Sequence, residues 1–316
     1  MSTPLVSILI PAFRPTWLDL AITSALAQTI GNFELLISDD SAGQEVQSVV
    51  SKWQDPRIRY MRNPRCGQPG SNRDNLIAEA RGKYIKFLFD DDFLFPNSLE
   101  LLLTAAEQHG ARLAFHARHF INGLGCVLEP PLKLDWRGFA QITSDIFFTW
   151  MVGAQVNAIG EPTCVLLHTE TLKSMTTPFA VDGRRMRFLT DMALYTNIIS
   201  QGHLVLGTTE VGSAFRQHGQ QTSNQSYPGH SAGLFEWELL RRWSTQRGLL
   251  SSDKFTAGNA KQMQMYEQWA TRYPELKAFI ALAGATEDEG YLGPRFMAAL
   301  NGADSAIAER MERKAA

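Results

Sequence analysis

A chain of 316 residues is longer than one average domain, and with 44% hydrophobic and 20% charged residues it can bury a sizeable core. Its 30 basic and 32 acidic side chains leave a net charge of −2, which excludes strategies based on bulk charge and with them non-specific nucleic-acid binding. Three cysteines, Cys66, Cys126 and Cys164, form no CxxC pair, which excludes a disulfide framework and argues against a cysteine-held zinc site. The first apolar run, residues 5–11, is too short for a signal peptide, and no run approaches the roughly 18 apolar residues of a membrane span. The expectation is a soluble, cytoplasmic protein.

Residues 5–10 (LVSILI) are apolar and β-branched, stop at Pro11 and read as a buried strand. Residues 16–29 place Leu18, Ile22, Ala25 and Leu26 at helical spacing, with Thr16 as a candidate N-cap. Residues 33–38 (FELLIS) form a second strand that runs into Asp39 and Asp40. A helix over 44–52, a short strand over 58–62 and a helix over 72–80, ended near Gly82, follow. Residues 84–89 (YIKFLF) are the next strand, and Asp90, Asp91 and Asp92 come directly after it. A helix over 97–109, capped by Asn97 or Ser98, and a strand over 112–118 complete the alternation.

Strand and helix alternating through short links predict an α/β fold with a mainly parallel sheet flanked by helices. Ligands in such sheets gather at the carboxyl ends of the strands, which marks Phe13-Arg14, Asp39-Asp40 and Asp90-Asp91-Asp92. Beyond about residue 121 the alternation weakens. An apolar run at 164–167 follows the turn GEPT, a helix over 188–199 carries Asp191, a short strand lies at 204–206, and 215–227 is a polar loop. After residue 232 the chain reads helical, over 234–247, 253–273, 275–283 and 293–314. The predicted organisation is an α/β domain over 1–230, in halves 1–120 and 121–230, with a helical extension over 231–316.

Three adjacent carboxylates repel one another at a strand end, and a divalent cation with hard oxygen ligands, Mg²⁺ or Mn²⁺, relieves that repulsion. Such a cation keeps phosphate oxygens in its shell, so a nucleoside diphosphate is its natural companion. The alternative is an acidic cluster facing the positive end of the following helix. Asp39 and Asp40 repeat the placement, where a carboxylate accepts a hydrogen bond from a base or ribose, or closes an Asx-turn.

The stretches VSILIPAFRP, SALAQTIGNFELLISDDSAG and RGKYIKFLFDDDFLFPNSLELL, in this order and spacing, resemble the family 2 glycosyltransferases of the GT-A, Rossmann-like fold. The resemblance is continuous over residues 4 to about 120 and weaker to about 225. It implies an inverting, metal-dependent transfer from a nucleotide-diphosphate sugar, a UDP-sugar for preference, to a glycan or glycolipid acceptor in bacterial surface polysaccharide or glycolipid assembly. Pro11, Ala12 and Phe13 would form the wall beneath the base, with Arg14 beside them. Asp40, next to Asp39, would pair with the base, and Arg73 would lie near base or diphosphate. Asp90 and Asp91 match the aspartates of ribose and metal, Asp91 being the direct ligand, and Asp92 is a further ligand candidate.

Two departures stand out: Phe89 replaces a frequent first aspartate, and Asp74 follows Arg73 where asparagine is usual. Inverting transfer needs a carboxylate base that deprotonates the acceptor hydroxyl, and Asp191 matches the family's position; without the resemblance it reads as a helix-dipole partner. In AFRQHGQQTS, His218 is a candidate metal or phosphate contact and Arg216 a clamp on the diphosphate. Glu161 and Trp150 are candidates for the acceptor pocket. The basic groups Arg241-Arg242-Trp243 and Arg310, Arg313, Lys314 suit a peripheral membrane contact, a solvated helix face or a homodimer contact. Rival readings are a nucleotidyltransferase, which usually needs a glycine-rich phosphate loop that PAFRPTW lacks, and a non-catalytic sugar-nucleotide or glycan-binding module. No GxGxxG follows the first strand, which disfavours a dehydrogenase.

Overall fold

A computed structural model of the chain describes residues 3–129, 136–282 and 290–315, with side chains described through Arg313; Lys314 of the terminal basic group therefore lies outside the described side chains. Packing separates the chain into two compact units. One comprises residues 1–142, 159–176 and 203–217, the other residues 143–158, 177–202 and 218–316. Composition alone placed one boundary near residue 230, whereas packing joins two earlier segments to the C-terminal helices.

The first unit is built on β1 (Val6–Ala12), β2 (Phe33–Asp39), β3 (Ile58–Arg62), β4 (Tyr84–Phe87), β5 (Phe93–Leu94), β6 (Leu113–Ile121), β7 (Val127–Glu129), β8 (Phe139–Gln141) and β9 (Val165–His168). Two short strands, β10 (Ala180–Val181) and β11 (Arg184–Arg185), pair in the second unit, and β12 (Val205–Arg216) returns to the first. The sheet runs β3-β2-β1-β4-β9-β6-β12-β5, with β7 beside β6 and β8 beside β12. Strands β1 to β4 are parallel, β9 lies antiparallel between β4 and β6, and β12 runs parallel to β6. All of β2 and nearly all of β1 is buried, as uninterrupted apolar runs require when both faces of a sheet are covered.

Helices α1 (Leu18–Leu26), α2 (Glu45–Val50), α3 (Ser71–Glu79), α4 (Ser98–Leu103) and α5 (Thr169–Lys173) belong to this unit. Helix α1 starts without a side-chain cap, so Thr16 does not fill that role. Asn97 sits at the cap position of α4 but makes no capping bond, and the Ser98 hydroxyl is turned to His116 Nε2 at 2.8 Å. Strand β12 extends far beyond the predicted 204–206. Its glycines explain both the interruption of the apolar pattern and the strand's persistence. A Cβ on Gly207 would meet the Phe115 ring at 2.1 Å, and one on Gly212 the His116 ring at 2.3 Å. These positions are glycine because β6 side chains lie across them.

The second unit holds α6 (Thr190–Ser200), α7 (His230–Gln246), α8 (Ser252–Ala257), α9 (Asn259–Trp269), α10 (Leu276–Ile280) and α11 (Pro294–Ala315), with a π-helical segment Ile146–Gly153. The predicted helix over 253–273 is broken at Gly258, where a Cβ would meet the Gly153 carbonyl oxygen at 2.8 Å and Arg241 Nη2 at 2.7 Å. Phe235 and Phe279 stack in the core of this unit, 5.3 Å apart.

Arg241 and Arg242 correct the expectation of a basic surface group: both are buried. Arg242 Nε donates to Glu238 at 2.6 Å and its guanidinium lies over Phe296, while Arg241 Nη2 donates to Asn259 Oδ1 at 2.9 Å. Their charges are spent inside the helical bundle. Among the described residues no helix is long and apolar enough to cross a membrane.

Candidate active site

The parallel register of β1, β2 and β4 brings their carboxyl ends to one edge, and with them most of the residues expected at the donor site. Phe13, just beyond β1, is 59% exposed, unusual for a large apolar side chain beside a buried strand. The backbone amides of Phe13 and Arg14 both donate to Asp90 Oδ2 at 2.7 Å. Arg14 Nη2 then bridges Asp90 Oδ1 at 3.3 Å and Asp91 Oδ2 at 3.0 Å. Asp90 is thus the clasp between the ends of β1 and β4, and Arg14 supplies positive charge between two adjacent carboxylates.

Asp92 faces the other way. It accepts from Thr163 Oγ1 at 2.8 Å and from the amide of Arg216 at 3.0 Å. Burial pushes Asp90 above the usual carboxylate range despite Arg14, and pushes Asp92 much further, with the neighbouring Asp91 charge adding to it. The three carboxylates therefore do not converge on one point. Among the described residues no group of three or more His, Cys, Asp or Glu side chains is gathered to hold a metal. A Mg²⁺ or Mn²⁺ ion that takes most ligands from water and substrate phosphates needs only one or two protein carboxylates. Asp91, the least enclosed of the three at 7% exposure, fits such an ion arriving with a diphosphate. Asp92 is engaged elsewhere.

At the end of β2 the two aspartates divide their work in the same manner. Asp39 is fully buried and ties the edge together, Oδ1 accepting from Ser41 N and Oγ at 2.8 and 2.7 Å, Oδ2 from Tyr60 and Arg62 at 2.8 and 2.9 Å. Asp40 is partly exposed and accepts on Oδ1 from Asn63 at 2.6 Å and the Gly67 amide at 3.1 Å. Of the two, Asp40 is the one left partly exposed at the edge. Arg73 lies in the first turn of α3, half-buried. Its neighbour Asn72 bonds the carbonyls of Ser38 at 3.0 Å and Ala12 at 3.3 Å, joining the ends of β1 and β2.

Arg216, expected to clamp the diphosphate, is buried and turned inward. Its Nε donates to the Asp91 carbonyl at 2.8 Å and its Nη1 to the carbonyls of Asn122 and Gly123 at 3.1 and 3.2 Å. In this conformation it braces the backbone of the triple aspartate. Glu161 pairs with Arg118 at 2.5 Å, and burial raises the Glu161 carboxyl above its ordinary range against that pull.

In the second unit, Asp191 stands in the first turn of α6. Its Oδ1 accepts from the Met192 amide at 2.7 Å and its Oδ2 from Asn157 Nδ2 at 2.7 Å. His218 Nδ1 accepts from the Gln220 amide at 3.2 Å within the polar loop. Trp150, 65% exposed on the π-helical segment, carries Lys254 Nζ 5.4 Å above its ring.

The family model described as Glycosyl transferase family 2 matches residues 7–149, the stretch that contains β1, β2, β4 and the triple aspartate. Over this stretch the chain is similar to the family 2 glycosyltransferases. A beta-1,3-glucosyltransferase of Campylobacter jejuni, named for GalNAc(5)-diNAcBac-PP-undecaprenol, is 35% identical over 33% of this chain and 35% of its own length. The Escherichia coli UDP-Glc:alpha-D-GlcNAc-diphosphoundecaprenol beta-1,3-glucosyltransferase WfaP is 24% identical over 71% of this chain and 81% of its own. The chain spans 18–21% of the length of three rickettsial glycosyltransferase relatives. Among solved structures, Staphylococcus aureus TarS 1–349, in complex with UDP-GlcNAc, superposes with a TM-score of 0.57 at 12% identity, covering 96% of this chain and 91% of that one. The fold is GT-A.

Several residues that shape the glycosyltransferase domain and its companion unit carried no signal in the sequence. Thr163 sits 71 residues from Asp92, Asn157 34 residues from Asp191, and Asn63 23 residues from Asp40. Each is a lone polar side chain, Thr163 in a short 3-10 turn and Asn157 and Asn63 in loops, and only the fold brings it to its carboxylate.

Proposed function

We propose that this chain is an inverting glycosyltransferase that moves a sugar from a UDP-sugar to a hydroxyl of a lipid-linked glycan acceptor. The observation that carries the reading is the donor edge: exposed Phe13, partly exposed Asp40, and the Arg14–Asp91 pair stand together at the carboxyl ends of parallel strands within a family 2 domain. UDP-linked names and complexes among the relatives and structural neighbours support the donor class, and diphosphoundecaprenol in two relatives' names supports the acceptor class.

Phe13 offers a face for the base and Asp40 accepts from its N–H groups. A Mn²⁺ or Mg²⁺ ion on Asp91, when bound, would neutralise the leaving diphosphate. Arg14, already seated between Asp90 and Asp91, supplies a second positive charge for the same oxygens. The acceptor oxygen attacks the anomeric carbon as the bond to the diphosphate oxygen breaks, and Asp191 takes the hydroxyl proton.

A thermal-shift screen of nucleotide sugars and nucleoside diphosphates, with and without Mn²⁺, identifies the donor. Asp191→Asn then abolishes transfer while nucleotide binding persists, and Asp91→Ala weakens Mn²⁺-dependent nucleotide binding in calorimetry. Unchanged turnover in the first variant, or unaltered metal dependence in the second, removes that residue from its role. Release of pyrophosphate in place of nucleoside diphosphate would establish a nucleotidyltransferase instead.

A further inference from the structure

We infer that the C-terminal helices position the Asp191 carboxylate, acting through Asn157, which makes Asn157 a positioning residue for proton transfer; this rests on the reading of Asp191 as the base. A carboxylate in the first turn of a helix is free to turn about its side-chain torsions unless something beyond its own helix holds it. Here Oδ1 is fixed by the Met192 amide of the same turn, and Oδ2 is held by Asn157 Nδ2 at 2.7 Å. The Asn157 amide thereby holds Oδ2 from outside the helix.

Asn157 lies outside helix and strand, just after the π-helical segment Ile146–Gly153, so its own position must be imposed. The C-terminal helices impose it. Lys261 Nζ of α9 donates to the carbonyl of Ala154 at 2.7 Å and to that of Gln155 at 3.3 Å. Gln155 Nε2 reaches back to the carbonyl of Gly258 at 3.4 Å, and Gly258 packs so closely on the Gly153 carbonyl that no side chain fits there. Gln155 is held at φ 56°, left-handed for a residue with a side chain. Such a conformation persists where the surroundings over-determine it.

The other end of the bond is anchored on the same bundle. Glu236 of α7 accepts from the amides of Arg187, Phe188 and Leu189, the residues that lead into α6. Both partners of the Asn157–Asp191 bond are thus seated on elements that the C-terminal helices hold. The helical region predicted as an extension is a frame for the base.

The test uses the full chain with the donor and acceptor found by the screen above, beginning with UDP-glucose and GlcNAc-diphosphoundecaprenol. Asn157→Ala is expected to lower kcat roughly ten- to hundredfold with donor KM unchanged. Lys261→Met, which cuts the tether without touching Asp191, lowers kcat in the same direction by less and serves if the first variant folds poorly. In the Asp191→Asn background, Asn157→Ala should lower the residual rate no further, because both act through one carboxylate. An unchanged kcat in both variants overturns the inference, as does a loss that repeats in full on top of Asp191→Asn. If Asp191→Asn itself retains normal turnover, the assignment of the base fails instead, and the two failures are distinguished.

Discussion

Glu236 offers the sharpest test of how the second unit is held. Its carboxylate is 3% exposed and receives three backbone amides, from Arg187 at 2.5 Å, Phe188 at 3.0 Å and Leu189 at 2.6 Å. Helix α6 has no side-chain cap of its own, so this acid on α7 satisfies the amides that lead into it. Three charge-assisted bonds at about 1.5–3 kcal/mol each would sum to a large figure. Burial opposes them, and it prevails: desolvation raises the Glu236 carboxyl above its ordinary range of 4.5 despite the three donors. The ionised form therefore gains little over a neutral one.

Glu236→Ala removes the acceptor and leaves three amides to be satisfied, at a cost of about 3–4 kcal/mol, because water reaches only part of them. Glu236→Gln keeps one carbonyl oxygen and sheds the desolvation, at a cost of about 1 kcal/mol. The pH dependence has a definite sign. With the folded pKa raised above 4.5, the native state holds a proton that the unfolded state has lost, so stability from this group falls as pH rises from 4.5 to the folded pKa and then levels. Urea unfolding of wild type and both variants, at several pH values from about 4.5 to 8, reads all three effects. Equal losses for Ala and Gln, or a wild-type-minus-Gln difference that rises with pH, would refute the reasoning.

Two other groups give independent tests. Lys86 is fully buried in β4, donating to the Thr163 carbonyl at 2.5 Å, and burial lowers its pKa to about 7 from an ordinary 10.5. The native state thus gains stability from this group as pH rises from about 7 towards 10.5 and loses it below; urea titrations should show that slope in wild type and not in Lys86→Met, and equal slopes would exclude it. Gly160 has φ 98° and a Cβ there would stand 2.4 Å from Arg118 Nη1, so Gly160→Ala both strains the backbone and pushes Arg118 off Glu161. A loss of about 1–3 kcal/mol is expected, a fall of several degrees in Tm, and an unchanged melting curve would remove the steric argument.

The first 120 residues were legible because their elements are local. Uninterrupted apolar strands, helical spacing in α1 and acidic strand ends are all properties of short windows, and the strands for 33–39 and 58–62 lie within a residue of their reading. What escaped depends on distant partners. Strand β12 carries Gly207 and Gly212, which look like breaks in a window yet are required by Phe115 and His116 on the neighbouring strand. Arg241 and Arg242 look like a surface pair; Glu238 stands one turn before Arg242 on the same helix, but Phe255 and Phe296, whose rings cover the two guanidinium groups, come from other helices of the bundle. A single break near residue 230 was the natural reading of composition, because no window shows that Glu236 binds residues 187–189 or that Lys261 binds residues 154 and 155.

The triple aspartate shows why a motif names a site without assigning its members. Three identical side chains in a row meet three environments: Asp90 the amides of Phe13 and Arg14, Asp91 the Arg14 guanidinium, Asp92 the Thr163 hydroxyl and the Arg216 amide. Burying a carboxylate is costly unless hydrogen bonds replace its water, and Asp90 and Asp92 draw those bonds in part from backbone amides of neighbouring strand ends. Those two serve the fold. Asp90 closes β4 onto β1, and Asp92 draws in β12, whose Arg216 in turn holds the Asp91 carbonyl. The middle carboxylate is then the one held rigid from both sides with its charge still directed outward to Arg14. The same logic separates Asp39, with four bonds inside the fold, from Asp40 at the edge. At both strand ends burial, not the identity of the residue, divides the acid that ties the strands together from the acid left nearer the surface.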